Sequence, residues 1–130
     1  MTSGEHTQQA EDEVADRDEL YRRLAPGAIR DDRTVSRIAY MGNGKPDVEI
    51  SVDLARLTTP ERTLAPVAGR GFGVGILSAA YPRFLGFTVR RDPLPENPAH
   101  TLIADQNDRQ KCCLLADNTR ISVRPVAPEM

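Results

Sequence analysis

No tryptophan occurs in this chain, and phenylalanine and tyrosine number three each. That scarcity leaves no evident aromatic platform for stacking nucleotide bases. No apolar run approaches the length that crosses a bilayer, so no membrane span is expected. The first residues are polar and acidic, unlike a secretory signal or a transit peptide. The two cysteines, Cys112 and Cys113, are adjacent. Neighbouring cysteines form only strained disulfides, so they staple no fold, and free thiols point to a reducing cytosol. There is no CxxC and no HxxxH, so no metal set is expected. No GxGxxG and no GK[ST] occurs, so no cofactor is expected either.

Lysine is also scarce: only Lys45 and Lys111 among 17 basic residues, the rest being arginine. The net charge of −2 hides an asymmetry. Residues 1–20 carry seven acids and one base, whereas the other 110 residues carry 12 acids and 16 bases. A mildly basic body thus follows an acidic segment. Residues 1–16 hold almost no large apolar group and read as a disordered tail. Residues 17–124 read as one domain, and 125–130 as a Pro-containing C-terminal tail.

Ten prolines and nine glycines punctuate the chain and favour short elements. Asp18–Leu24 suits a short helix, with acids in its first turn and Leu20, Tyr21 and Leu24 on one face. Thr34–Met41 is β-prone, and with the Gly42–Pro46 loop it suggests a hairpin. Val48–Leu54 alternates strictly, Val48, Ile50, Val52 and Leu54 facing one way and Glu49, Ser51 and Asp53 the other, which predicts a half-buried strand. Thr59 and Pro60 open a helix that Pro66 stops. Gly69, Gly71, Gly73 and Gly75 alternate into Ile76-Leu77, a strand with one bare face. Phe84–Arg90 reads as a strand, and Asp92–Pro98 as a rigid loop. Ala99–Ile103 follows as a short strand. Asp105 or Asn107 caps a helix over about 108–118, with Cys112, Leu115 and Ala116 on its inner face. Ile121–Val123 adds an edge strand. The order predicts an α+β fold: a twisted, mainly antiparallel sheet of four or five strands, packed by one or two short helices.

Four polar residues stand out as catalytic candidates. His100 is the sole histidine outside the tail and follows a Pro-rich loop, where functional residues gather. Ser51 and Asp53 share the polar face of the alternating strand. Glu96 lies in the loop before His100. The bare backbone at Gly71, Gly73 and Gly75 is a candidate ligand-binding strip, since exposed amides approach anions closely. Cys112 or Cys113 with His100 would form a thiolate pair, but a helix-interior position activates a thiol weakly.

Leu20-Tyr21-Arg22-Arg23, Ile38-Ala39-Tyr40, Ser51-Val52-Asp53 and Pro98-Ala99-His100 resemble segments of a group of small bacterial proteins of unknown function; the resemblance spans most of residues 20–121 and implies no activity. A fainter similarity is to ADP-ribosyltransferases, which place an Arg or His on an early strand, a Ser on a middle strand and a late catalytic Glu. It would cast Arg22 or Arg23, Ser51 and Glu96 in those parts, with Ser-Val-Asp in place of the family's Ser-Thr-Ser.

The sequence is read as a non-enzymatic interaction or accessory module of the bacterial cytosol, with a protein as its partner. A small enzyme or nucleotide-binding domain is the alternative, and weak nucleic-acid binding a third. The enzyme alternative requires Ser51, Asp53, Glu96 and His100 to converge on one concave site; the interaction module predicts them scattered.

Overall fold

The computed structural model describes residues 13–30, 32–42, 45–105 and 107–126. The acidic residues 1–12 and the terminal residues 127–130 lie outside them. The fold is α+β, as its sequence predicts, but the main sheet has six strands rather than four or five. In chain order the strands are β1 (Glu19–Leu24), β2 (Met41–Gly42), β3 (Lys45–Pro46), β4 (Glu49–Leu54), β5 (Gly73–Ser78), β6 (Thr88–Arg91), β7 (His100–Ala104) and β8 (Arg120–Val123). The main sheet runs β6-β7-β4-β1-β5-β8 and is antiparallel throughout, while β2 and β3 form a small hairpin apart from it. Among the described residues three short α-helices complete it: α1 (Pro60–Leu64), α2 (Ala80–Phe84) and α3 (Arg109–Asp117).

The alternation read from β4 is realised: Ile50, Val52 and Leu54 are buried on one sheet face, joined by Leu20 and Leu24 of β1, Leu77 of β5 and Ile103 of β7. Each such side chain contributes roughly 1.5–3 kcal/mol by leaving water. Tyr40, Cys112, Leu115 and Ala116 cover this face from the Arg37–Tyr40 3-10 turn and α3. Val48 lies before the strand and is 70% exposed, not inward as the alternation implied. Both expected helix starts are present. The Thr59 side chain accepts from the Arg62 amide at 3.2 Å, with Pro60 at the first position. The α3 cap is Asp108, whose Oδ1 accepts from the Lys111 amide at 2.8 Å, rather than Asp105 or Asn107.

The expected Asp18–Leu24 helix is instead β1. A four-residue spacing puts Leu20 and Leu24 on one face in either geometry. Pairing decides: β1 bonds β5 along all six residues and β4 at its start. The β-prone Thr34–Met41 stretch forms a 3-10 turn at Arg37–Tyr40, capped by Ser36. Phe84 ends α2, and Gly86 turns the chain at φ +101° before β6 starts at Thr88. Order also starts earlier than residue 17, since Val14 is buried and Asp16 pairs with Arg83 at 2.7 Å. At the other end, Pro125 is buried against Gly73.

The register of β1 with β4 covers only Leu20 with Leu54 and Tyr21 with Asp53. Beyond that the Arg22 guanidinium bridges to β4. Its Nε donates to the Ala39 carbonyl and its Nη1 to the Ser51 carbonyl, both at 2.8 Å. Nη2 reaches Asp47 at 3.4 Å, and the guanidinium lies 5.6 Å from the centre of the Tyr40 ring. The side chain is only 16% exposed. Burial depresses its pKa, which Tyr40 and Asp47 oppose. Behind it, Thr119 donates to the Leu115 carbonyl at 2.7 Å and so accepts from the Tyr40 hydroxyl at 2.6 Å. One polar chain therefore ties the sheet to α3.

Replacing Arg22 with Met strands two carbonyls and a carboxylate, and is expected to lower stability by about 3 kcal/mol. Arg22→Lys should not restore it, because an ammonium cannot serve this planar set of acceptors. Urea unfolding of the three chains measures both effects. Burial also pushes the Tyr40 hydroxyl up to about 12, against the lowering pull of the Arg22 charge. Above its ordinary value near 10 the unfolded chain releases this proton while the folded one keeps it. Stability should therefore fall from pH 10 toward 12, by up to about 1.4 kcal/mol per pH unit. Tyr40→Phe should flatten that alkaline limb in unfolding measured across the range.

Candidate functional site

The sheet face opposite the core carries Tyr21, Arg23, Ser51, Asp53 and His100. Register places Tyr21 of β1 opposite Asp53 of β4, and Asp53 opposite His100 of β7, so the three form a row across adjacent strands. Ser51 faces Leu102, which makes it a diagonal neighbour of His100. Two segments partly roof this row: the stretch from Leu57 through α1 to Val67, and the loop between β6 and β7. Between them lies a cleft of about 990 Å³. Ser51, Asp53, Glu96 and His100 all line it.

Asp53 forms the floor and is only 5% exposed. Its Oδ2 accepts from the Thr63 hydroxyl at 2.7 Å, and its Oδ1 from the Asn97 amide at 2.8 Å. No cation lies within ion-pair distance of it among the described residues. Each carboxylate oxygen has a further lone pair. Thr63 is fixed in turn by Arg23, whose Nε donates to its carbonyl at 2.7 Å. Arg23 and Arg62 both line the cleft, and beyond the Arg23 Nε bond to Thr63 neither guanidinium has a partner among the described residues.

The Pro-rich loop is rigid because its backbone bonds to itself. Leu94 and Asn97 exchange amide-to-carbonyl bonds at 3.1 and 3.0 Å, and the His100 amide donates to the Asn97 carbonyl at 3.1 Å. Arg91 clamps the return, donating to the Pro98 carbonyl at 2.7 Å and the His100 carbonyl at 3.3 Å. The loop thereby brings Asn97 onto Asp53 and leaves Glu96 exposed at the rim.

His100 Nδ1 lies 3.0 Å from both the carbonyl and Oδ2 of Asp92. Both are acceptors, so Nδ1 carries the proton, and in the neutral ring Nε2 is left as the basic nitrogen. A carboxylate behind a histidine fixes tautomer and ring orientation, as a general base requires.

The glycine strip is filled by the chain itself. A Cβ on Gly73 would collide with the Val123 carbonyl and Pro125, one on Gly75 with the Thr119 methyl, and one on Gly71 would crowd Val126 at 3.1 Å. Gly71 also turns at φ +77° and accepts from the Val126 amide at 2.8 Å. The close approach that the bare face predicted is real, but the C-terminal segment occupies it, and none of the three glycines lines the cleft. Cys112 is buried on the inner face of α3, its thiol bonded to the Tyr40 carbonyl at 3.4 Å and pushed up in pKa chiefly by burial. Neither cysteine lines the cleft. Of the residues suggested by the ADP-ribosyltransferase similarity, Arg23, Ser51 and Glu96 share the cleft. Arg22 lines it too but is committed to structural acceptors. Among the described residues, no group of three or more His, Cys, Asp or Glu could hold a metal ion.

Sequence reasoning did not single out Tyr21, Arg23, Thr63, Asn97 and Arg62 as one site. Arg23 had entered only as an alternative to Arg22, and Asn97 carried a local signal as the polar residue closing a Pro-rich turn.

The structure shows an antiparallel α+β fold with a cleft of mixed polar and apolar lining. No family model, no curated protein and no solved structure matches the chain. The chemistry of the cleft is therefore read from its own residues.

The chain has only two histidines, so the imidazole of His100 is assignable by nitrogen NMR. The neutral ring is expected as the Nδ1–H form, with Asp92→Ala reducing its share. A wild-type ring protonated on Nε2 would contradict the assignment.

Proposed function

We propose that the protein is a small bacterial cytosolic domain that binds a small anionic ligand in this cleft, with His100 as its general base. The carrying observation is the convergence of Ser51, Asp53, Glu96 and His100, from two strands and one loop, on a single cleft. Its size suits a metabolite, since ligand pockets run from about 300 to 1,000 Å³. Arg23 and Arg62 supply positive charge for the anion. Asp92 holds the Nδ1 proton, so Nε2 accepts a proton from a substrate hydroxyl or a water, and Asp92 then stabilises the imidazolium. Ser51 is the nearest candidate hydroxyl in the sheet register, and its side chain has no partner among the described residues. This reading takes up the enzyme and nucleotide-binding alternative in preference to the accessory module.

One observation favours a protein partner as a second reading. Phe84 is 82% exposed and stacks on Tyr81 at 6.3 Å between ring centres. An exposed aromatic ring stacked on a half-buried one suits an interface anchor. Nucleic-acid binding draws less support, because six arginines are already paired with acids: Arg22, Arg30, Arg56, Arg83, Arg90 and Arg120.

Amide NMR of the full chain, titrated with ribonucleoside monophosphates, sugar phosphates and N-acetyl amino acids, tests the reading. Shifts clustered on Tyr21, Asp53, Asn97 and His100 are expected with at least one class. His100→Ala should leave binding within about fivefold, a loss of about 1 kcal/mol, yet abolish any turnover of that compound. No shift at the cleft with any class would overturn the proposal.

A further inference from the structure

The polar groups of the cleft differ in what they ask of a ligand. Asp53 is a nearly buried carboxylate held by two neutral donors and no cation. It can take further hydrogen bonds, and a pair of adjacent hydroxyls supplies two O–H donors to one carboxylate. Sugar diols meet acidic side chains in this way at dinucleotide sites. Arg23 and Arg62 offer free guanidinium nitrogens, which suit phosphate oxygens bidentately. The two ends are linked: Arg23 binds the Thr63 carbonyl, Thr63 binds Asp53, and Arg62 precedes Thr63 on α1. The diol acceptor and the phosphate donors therefore stand side by side. Leu57, Pro66, Phe72 and Leu94 add an apolar stretch to the wall, beside the polar Ser51, Glu96 and His100. A free amino acid would satisfy the charges but leave most of a cleft of about 990 Å³ to water. A bare sugar phosphate would leave the apolar wall uncovered.

From this juxtaposition we infer that the ligand is a ribonucleoside phosphate, with its ribose diol on Asp53, its phosphate on Arg23 and Arg62, and its base against the apolar wall. The inference rests on the cleft being a ligand site, as proposed above, and narrows what it takes.

Calorimetric titration of the full chain tests it. The probes are the four ribonucleoside 5′-monophosphates, the matching 2′-deoxy compounds, the nucleosides without phosphate, ribose 5-phosphate and N-acetylglutamate. At least one ribonucleotide should bind about tenfold more tightly than its 2′-deoxy form and than its nucleoside. Arg62 is exposed and makes no side-chain bond among the described residues, so Arg62→Gln leaves the fold intact. It should erase the preference for nucleotide over nucleoside. Asp53→Asn should erase the preference for ribose over deoxyribose. Should that variant unfold, the arginine variant and the wild-type comparison still decide. Equal binding of ribo and deoxy forms, or no effect of Arg62→Gln, would overturn the inference. Binding of ribose 5-phosphate or N-acetylglutamate alone would also overturn it, while leaving the cleft a ligand site. No binding by any probe would overturn both.

Discussion

The rest of the molecule depends on one largely enclosed cation. Arg22 sits in the middle of β1, on the face that should be hydrophobic, between Leu20 and Leu24. A charge there is costly unless it is fully bonded. It is bonded to carbonyls from two other segments, to Asp47, and to the face of Tyr40. In making those bonds it takes up the Ser51 carbonyl of the neighbouring strand. The pairing of β1 and β4 stops after two residue pairs, and the cleft lies where they part. The packing solution for the core and the opening on the other face are thus one arrangement.

That origin explains why the polar groups of the cleft are well placed. Tyr21, Asp53 and His100 are on three adjacent strands, and sheet register fixes their spacing. Sites carried on strands are held more closely than sites on loops. The one loop that contributes, between β6 and β7, is stiffened by three prolines, by the Leu94–Asn97 bridge and by Arg91. Asp53 is satisfied without a counter-charge, and the arginines are not spent on it. Both signs of charge remain available to a ligand.

Much of this was legible in local pattern, and what was missed needed long-range contacts. Alternation in Glu49–Leu54 separated the core residues from Ser51 and Asp53. Capping chemistry at Thr59-Pro60 and the inner face of α3 were equally local. The spacing of Leu20 and Leu24 fits both a helix and a strand, so only the neighbours of β1 could settle it. That single ambiguity concealed the roles of two arginines. On a strand, Arg22 and Arg23 point to opposite faces, one bonded to Ala39, Ser51 and Asp47 and the other to Thr63. The glycines at 73 and 75 announced a close approach, but no local signal says that residues 119–125 make it. Asn97 and Thr63 meet Asp53 from segments 44 and 10 residues away, and nothing in composition pairs them.

The most direct measurement is equilibrium dialysis of the purified full chain against the small-molecule fraction of a cell extract, with mass spectrometry of what is retained. A cleft opened by Arg22 and armed with Arg62 and Asp53 should enrich a phosphate-bearing compound, and the Arg62→Gln chain should fail to retain it. Enrichment of nothing over a protein-free control, by wild type and variant alike, would contradict the assignment of this cleft as a binding site.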